Sequence, residues 1–234
     1  MALVSFAAAP AGDREPAVVT PGTAGSPPSD AVVLFDGKDL SAWKSDDGSE
    51  PKWKLENGHM EVHGKGLMTR QEFGAIQLHL EWASPAEVKG DGQGRGNSGV
   101  YFQGRYEIQV LDGDKTPHGM AAVINETPSP YHAYNGTGKW NAYDINFRAA
   151  RFKDGKLVEK PLVSMYFNGQ LVHTNVTIQQ VWGGPNSGID GGNDGGKGIT
   201  DSPGGLKLQN EGHDVRYRNI WIRELNLKKA DTRF

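Results

Sequence analysis

From residue 96 to residue 112 the chain runs Gly96-Asn97-Ser98-Gly99-Val100-Tyr101-Phe102-Gln103-Gly104-Arg105-Tyr106-Glu107-Ile108-Gln109-Val110-Leu111-Asp112. This pattern predicts two β-strands that meet at Gly104. Side chains alternate between the two faces of a strand, so one set of residues in the second strand should face a core. These residues are Tyr106, Ile108 and Val110.

The opposite face of the second strand carries polar groups, Glu107 and Gln109. A bulge near Leu111 would add one residue and bring Asp112 back to the same face. Acid/base and hydrogen-bonding groups aligned on one sheet face suit a cleft that processes carbohydrate. An ordinary solvent-exposed strand has the same pattern, so this stretch alone does not establish a function.

Alternating apolar and polar residues recur along the rest of the chain, separated by turn signals. The tight hairpin turns predicted from the sequence are Asn57-Gly58, Asp154-Gly155 and Asn168-Gly169. An Asn-Gly pair accepts the positive φ angles that a type I′ turn needs at both central positions. No long stretch has a helical period. Short strands without intervening helices predict an all-β fold, a jelly-roll sandwich of two antiparallel sheets.

Composition excludes several classes of function. The 234 residues carry a net charge of −3, which gives no basic surface for nucleic acid. Cysteine is absent, so the chain has neither disulfides nor a thiol nucleophile. The Gly-x-Ser-x-Gly signature of many serine hydrolases is also absent.

The chain divides into three parts. Residues 1–30 are apolar at first and then rich in Pro, Gly, Ser and Ala, which predicts a signal-peptide remnant followed by a flexible linker. Residues 31–226 form the predicted sandwich domain, and residues 227–234 form a C-terminal tail. No later segment approaches the ~20 apolar residues that span a membrane. We therefore expect an exported protein of the periplasm or cell envelope, whose oligomeric state the sequence leaves open.

Neither the histidines nor the acidic loops predict a metal site. The seven histidines form no His-x-His or His-x-x-x-His pair, the spacing typical of zinc sites. His59, His63 and His79 lie in strand patterns and are expected to face solvent. The loop from Gly183 to Gly205 contains Asp190, Asn193, Asp194 and Asp201, which could hold calcium or simply form a loop. We expect no cofactor, with a divalent cation as an open alternative.

Five runs of residues resemble the bacterial 3-keto-disaccharide hydrolase family. They are Phe35-Asp36-Gly37-Lys38-Asp39-Leu40-Ser41-Ala42-Trp43, Gly96-Asn97-Ser98-Gly99-Val100-Tyr101, Gly104-Arg105-Tyr106-Glu107-Ile108-Gln109-Val110-Leu111-Asp112, Lys139-Trp140-Asn141-Ala142-Tyr143-Asp144-Ile145 and Val215-Arg216-Tyr217-Arg218-Asn219-Ile220-Trp221-Ile222. The resemblance extends roughly from Ala31 to Leu225. It implies a concanavalin-like jelly roll, export, and action on oxidised sugars.

Two positions differ from the family pattern. The family often has Ala-Ile-Tyr-Gly where this chain has Ala122-Val123-Ile124-Asn125. It often has Leu-Gln-Asp-His-Gly where this chain has Leu208-Gln209-Asn210-Glu211-Gly212-His213, which displaces the histidine. Family roles are therefore not transferred to these two positions.

The chemistry of a 3-keto sugar requires fewer carboxyl groups than an ordinary glycosidase does. An ordinary glycosidase uses two carboxyl groups. The run from Glu107 to Asp112 resembles the Glu-x-Asp-x-x-Glu strand of jelly-roll glucanases, but Gln109 replaces the central Asp. A carbonyl at C3 acidifies the proton on C2, so one base can form an enolate and the C1 substituent can leave. Such a site needs a base, an enolate stabiliser and a proton donor.

The expected activity is hydrolysis of the glycosidic bond of a 3-keto-disaccharide or 3-keto-glycoside, by elimination and then hydration. Glu107 is the candidate base, and Asp112 or Glu81 is the second acid/base or metal-ligating group. An ordinary glucanase-like glycosidase and a non-catalytic carbohydrate-binding envelope protein are the alternatives.

Substrate binding is expected to use amides, a guanidinium and an aromatic ring. The candidates are Asn97, Arg105, Gln109, Trp140 and Gln209. Arg105 and Glu107 could instead form an ion pair, and Trp140 could instead pack in the core.

Overall fold

A computed structural model of the protein describes residues 19–23, 25–182 and 198–225. Its strands are β1 (Val32–Phe35), β2 (Trp43–Ser45), β3 (Lys54–Glu56), β4 (His59–Glu61), β5 (Leu67–Phe73), β6 (Ile76–Ala83), β7 (Ser98–Phe102), β8 (Tyr106–Val110), β9 (Asn141–Arg148), β10 (Arg151–Lys153), β11 (Lys156–Glu159), β12 (Leu162–Phe167), β13 (Gln170–Thr177), β14 (Gly204–Leu208) and β15 (Arg216–Glu224). The only helical element in the described residues is one short 3₁₀ turn, Gly92–Gly94.

The strands form two main sheets. The larger sheet has the order β13-β12-β9-β6-β15-β4-β3, with β1 also paired to β15, and the smaller sheet has the order β2-β5-β14-β7-β8. Strands β10 and β11 form a separate hairpin, and the pairings between described strands are antiparallel. The predicted jelly-roll sandwich of two antiparallel sheets is confirmed.

The predicted hairpin turns form as expected. Asn57-Gly58, Asp154-Gly155 and Asn168-Gly169 all have positive φ at both central residues, between 48° and 77°. The strands before and after Gly104 also form, and Gly104 has a φ of 63°. Turn chemistry therefore fixes the register of these hairpins, as the sequence predicts.

The core lies between the two sheets and is built from the inward side of each strand. In β6 the residues Ile76, Leu78, Leu80 and Trp82 are at most 2% exposed. In β8 the inward set is Tyr106, Ile108 and Val110, again nearly inaccessible. Burial of large apolar side chains is the main favourable contribution to the stability of such a sandwich.

The start of the described chain lies against the outer face of the larger sheet. Asn219 Nδ2 donates to the carbonyl of Gly25, and Arg223 forms an ion pair with Asp30 at 2.6 Å. Within the described residues, no helix is long and apolar enough to cross a membrane.

Candidate active site

Three neighbouring strands of the smaller sheet bring charged and aromatic side chains into one row on its outer face. The register pairs Lys207 of β14 with Tyr101 of β7, and Tyr101 with Glu107 of β8. Inward residues occupy the alternate positions on these strands, so paired residues of the row share the outer face. We call this surface the site face.

Glu107 is the most perturbed acid of the site face. The pKa of its carboxyl is raised to about 7, chiefly by burial and also by the charge of Glu211. A hydrogen bond from the Tyr101 hydroxyl and the charge of Lys207 act in the opposite direction. Glu107 can therefore both accept and donate a proton near neutral pH, as a general acid/base requires.

Lys207 supplies the positive charge in this row. Its side chain is only 2% exposed, its Nζ lies 3.3 Å from Asp46 Oδ2, and the same atom lies 5.5 Å from the centre of the Tyr101 ring. A cation held in a buried position is suited to stabilising negative charge that develops on a substrate.

A second row of the site face is formed by two amides with a glycine between them. Gly99 pairs with Gln109, and the Gln209 backbone N–H donates to the Gly99 carbonyl at 2.9 Å. A Cβ at position 99 would collide with Glu107 Oε1 and would lie 3.0 Å from Gln209 Oε1. Only glycine at position 99 therefore leaves room for the Glu107 carboxylate next to the Gln209 amide.

Two of the predicted amides keep a buried oxygen available. Gln109 Nε2 donates to the His118 carbonyl at 2.9 Å, while Gln109 Oε1 is buried without a hydrogen-bond partner among the described residues. Asn97 Oδ1, just before β7, is also buried without a hydrogen-bond partner among the described residues. An unsatisfied buried oxygen costs free energy, so a bound ligand or water that donates a hydrogen bond would be favoured there.

Asp112 does not lie in either row. It follows the end of β8, is 3% exposed, and forms an ion pair with Arg95 at 2.8 Å. It also accepts hydrogen bonds from Ser84 and Tyr134 at 3.0 and 2.6 Å. Burial raises the pKa of Asp112, but these hydrogen bonds more than offset burial and hold it below its usual value. Asp112 therefore links three loops, and the expected bulge does not return it to Glu107.

Glu81 lies on the outer face of the larger sheet, across the sandwich from Glu107. Arg218 Nε donates to it at 2.6 Å, and His79 Nε2 is 3.9 Å away. His79 is 6% exposed, which corrects the expectation that it faces solvent. Burial lowers the pKa of His79, but hydrogen bonds with Asp144 and Glu81 more than offset this and raise it to about 9.

Trp140 and Arg105 also lie outside the two rows. The Arg218 guanidinium lies 4.1 Å from the centre of the Trp140 ring, on the outer face of the larger sheet. Arg105 stands two residues before Glu107, and its Nη1 donates to the Gly198 carbonyl at 3.2 Å. Within the described residues, the possible ion pair between Arg105 and Glu107 is not formed.

Comparison with known proteins identifies the family of the chain. A family model described as the 3-keto-alpha-glucoside-1,2-lyase-like domain matches residues 30–223 of the chain. The protein belongs to this family. Among curated proteins, the comparison found no match to this chain.

Solved structures support the same fold for the lyase-like domain. A candidate glycosyl hydrolase from Parabacteroides distasonis is 36% identical, covers 91% of this chain and 93% of its own, and has a TM-score of 0.80. A second candidate glycosyl hydrolase from the same organism is 22% identical, covers 84% of this chain and 94% of its own, and has a TM-score of 0.59. The second likeness supports the fold alone.

Sequence reasoning missed three residues of the candidate site, Tyr101, Lys207 and Glu211. The signal was present for two of them, because Tyr101 and Lys207 stand between inward apolar residues and so belong to the outer face. Glu211 follows β14 in the run that departs from the family pattern, and Gln209 Nε2 donates to it at 2.5 Å.

The described residues of the lyase-like chain contain no group of three His, Asp or Glu side chains arranged for a metal ion. Most of the loop from Gly183 to Gly205, including Asp190, Asn193 and Asp194, lies outside the described residues. The calcium hypothesis for that loop stays a prediction.

Proposed function

We propose that the protein cleaves the glycosidic bond of 3-keto-disaccharides or related 3-keto-glycosides, by removing the proton from C2. The observation that carries this proposal is Glu107, a carboxyl with a pKa of about 7 on the site face, in the same row as the buried Lys207 with Tyr101 between them. Membership of a 3-keto-glucoside lyase-like family supports the same chemistry.

In the proposed reaction the Glu107 carboxylate takes the C2 proton, and the C–H electron pair moves to the C3 carbonyl to form an enolate. Lys207 stabilises the enolate oxygen. The enolate then collapses, a C1–C2 double bond forms, and the C1–O bond breaks with a proton delivered to the departing oxygen. Water adds across the double bond, with its hydroxyl on C1 and its proton on C2, so the net reaction is hydrolysis.

The remaining roles follow from the positions on the site face. Gln109 and Gln209 lie beside the carboxylate of Glu107 and bind substrate hydroxyls, as the sequence suggests. Asp112 and Glu81 do not share this surface, so the second acid/base role falls to Glu211, whose charge acts on Glu107. Asn97, with its buried free oxygen, binds a hydroxyl further along the face.

The first expected result concerns pH. Since the base must be ionised, kcat/KM for a 3-keto-glycoside should rise about tenfold per pH unit below pH 7 and level off above it. The measurement is a pH–rate profile of the purified protein between pH 5 and 9. A profile that is flat across pH 7 would remove Glu107 as the base.

The second expected result concerns the substrate class. Purified protein should release the C1 substituent from 3-keto-trehalose and from a 3-keto-glucoside, but should leave the unoxidised parent sugars intact. An ordinary glycosidase is the competing function, because Glu107 and Glu211 could act as its two carboxyl groups. Cleavage of the parent at an equal or greater rate would establish that function instead. Binding without turnover of either sugar would favour a carbohydrate-binding protein.

A further inference from the structure

A pocket of about 240 Å³ opens at the end of the site face, where β7 begins and β14 ends. Its walls come from two loops, residues 85–96 and residues 212–214. The lining includes Pro85, Val88, Gly96, Gly212, His213 and Asp214.

The pocket lies within reach of a substrate that is bound at Glu107. The Glu107 carboxylate extends to Gly99, because a Cβ there would collide with it. Gly96 precedes Gly99 by three residues, so the Cα atoms of these two glycines are at most about 10 Å apart. Antiparallel β14 runs on to Gly212 at the same end, through Gln209 and Glu211. The two rings of a disaccharide can span this separation.

The lining suits a molecule rich in hydroxyl groups. It presents both donors and acceptors, among them Lys89, Glu87, His213 and Asp214. His213 Nδ1 is buried and has no hydrogen-bond partner among the described residues. A sugar hydroxyl can donate to or accept from this nitrogen, which removes the cost of leaving it unsatisfied.

Asp112 fixes the shape of this pocket. It binds Arg95, which stands between the lining residues Gly94 and Gly96, and it accepts from Ser84 Oγ, directly before Pro85. The Asp112 backbone N–H also donates to the Arg95 carbonyl at 3.0 Å. Both ends of the 85–96 wall are therefore held by one buried carboxylate.

The geometry points to a subsite for the leaving group: the pocket binds the second sugar ring of a 3-keto-disaccharide while Glu107 acts on the oxidised ring. This assignment rests on the proposed function and makes it narrower, because it favours disaccharides over glycosides with small leaving groups.

The test fills the pocket. Gly94 lies in the wall, its φ is outside the left-handed region, and a Cβ there meets no atom within 4 Å, so Gly94→Phe introduces a bulky ring without a backbone clash. Gly74, in the turn between β5 and β6, is equally unobstructed and gives the matched control Gly74→Phe. Each variant is assayed with 3-keto-trehalose and with methyl 3-keto-glucoside.

For Gly94→Phe, the ratio of kcat/KM for the disaccharide to kcat/KM for the methyl glycoside should fall at least tenfold. The ratio should stay within twofold of the parent for Gly74→Phe. An equal effect of Gly94→Phe on both substrates, or no effect, would overturn the subsite and leave the proposed function intact.

A binding measurement separates the two proposals. Glucose, the leaving sugar, should shift the imidazole NMR signals of His213 in the parent protein and not in Gly94→Phe. If the parent cleaves neither substrate yet shows this shift, the proposed function fails and the pocket stands as a sugar site. If glucose causes no shift in the parent protein, the subsite is wrong, whatever the activity.

Discussion

Replacing Glu107 by Gln is expected to lower kcat on 3-keto-trehalose about 10³-fold, since general acid/base catalysis contributes typically 10²–10⁴-fold. The same change should make the protein more stable at neutral and alkaline pH. The folded-state pKa of Glu107 is about 7 against a model value of 4.5, so ionisation of this buried carboxyl opposes folding. The unfolding free energy of the wild-type protein therefore falls by up to about 3 kcal/mol as pH rises from 4.5 to 7. The Gln side chain does not ionise, so the variant does not lose this free energy.

The measurement is kcat together with urea unfolding at pH 4.5 and pH 8. The two proteins should have similar unfolding free energies at pH 4.5, and Glu107→Gln should be the more stable at pH 8. Glu81→Gln is the matched control, because Glu81 lies on the outer face of the larger sheet; its kcat should stay within twofold of the parent. Equal losses of activity in both variants would contradict the assignment of the base.

Replacing Lys207 by Met is expected to lower kcat about 10²-fold, the usual effect of removing one group that stabilises an oxyanion. The midpoint of the pH–rate profile should also move above pH 7. Lys207 lowers the pKa of Glu107 through its charge, so removal of that charge lets the pKa rise. A role for Lys207 in packing alone would not move this midpoint.

Lys44→Met is the control for this experiment. Lys44 pairs with Met68, and Met68 with Lys207, so Lys44 stands two strands further from Glu107 in the smaller sheet. Its replacement should leave both kcat and the pH midpoint unchanged. If Lys207→Met retains full activity, the enolate must be stabilised by another group and the proposed mechanism loses its cation.

The sequence predicts the parts of the site that depend on strand alternation. Glu107 and Gln109 share one outer face because residues at i and i+2 do so in any strand, and Gln209 joins them across the sheet. Lys207 could have been found by the same rule. Its pairing with Tyr101 could not, because β7 and β14 are separated by about 100 residues and no local signal sets that contact.

Asp112 shows where alternation stops being informative. The residue stands beyond the end of β8, so its direction is decided by Arg95, Ser84 and Tyr134, which come from three other segments. Glu81 lies apart from Glu107 for a different reason. Its strand alternates cleanly, but alternation does not say to which of the two sheets a strand belongs, and β6 lies in the larger one.

The chain enters the sandwich on the side that faces away from Glu107. Gly25 and Asp30 are held by Asn219 and Arg223 on the outer face of the larger sheet, and the last described strand, β15, belongs to that sheet as well. A solid support or carrier protein joined at residues 25–30 would therefore approach the sandwich from the face opposite Glu107. Immobilisation through this segment would leave the site face pointing away from the support.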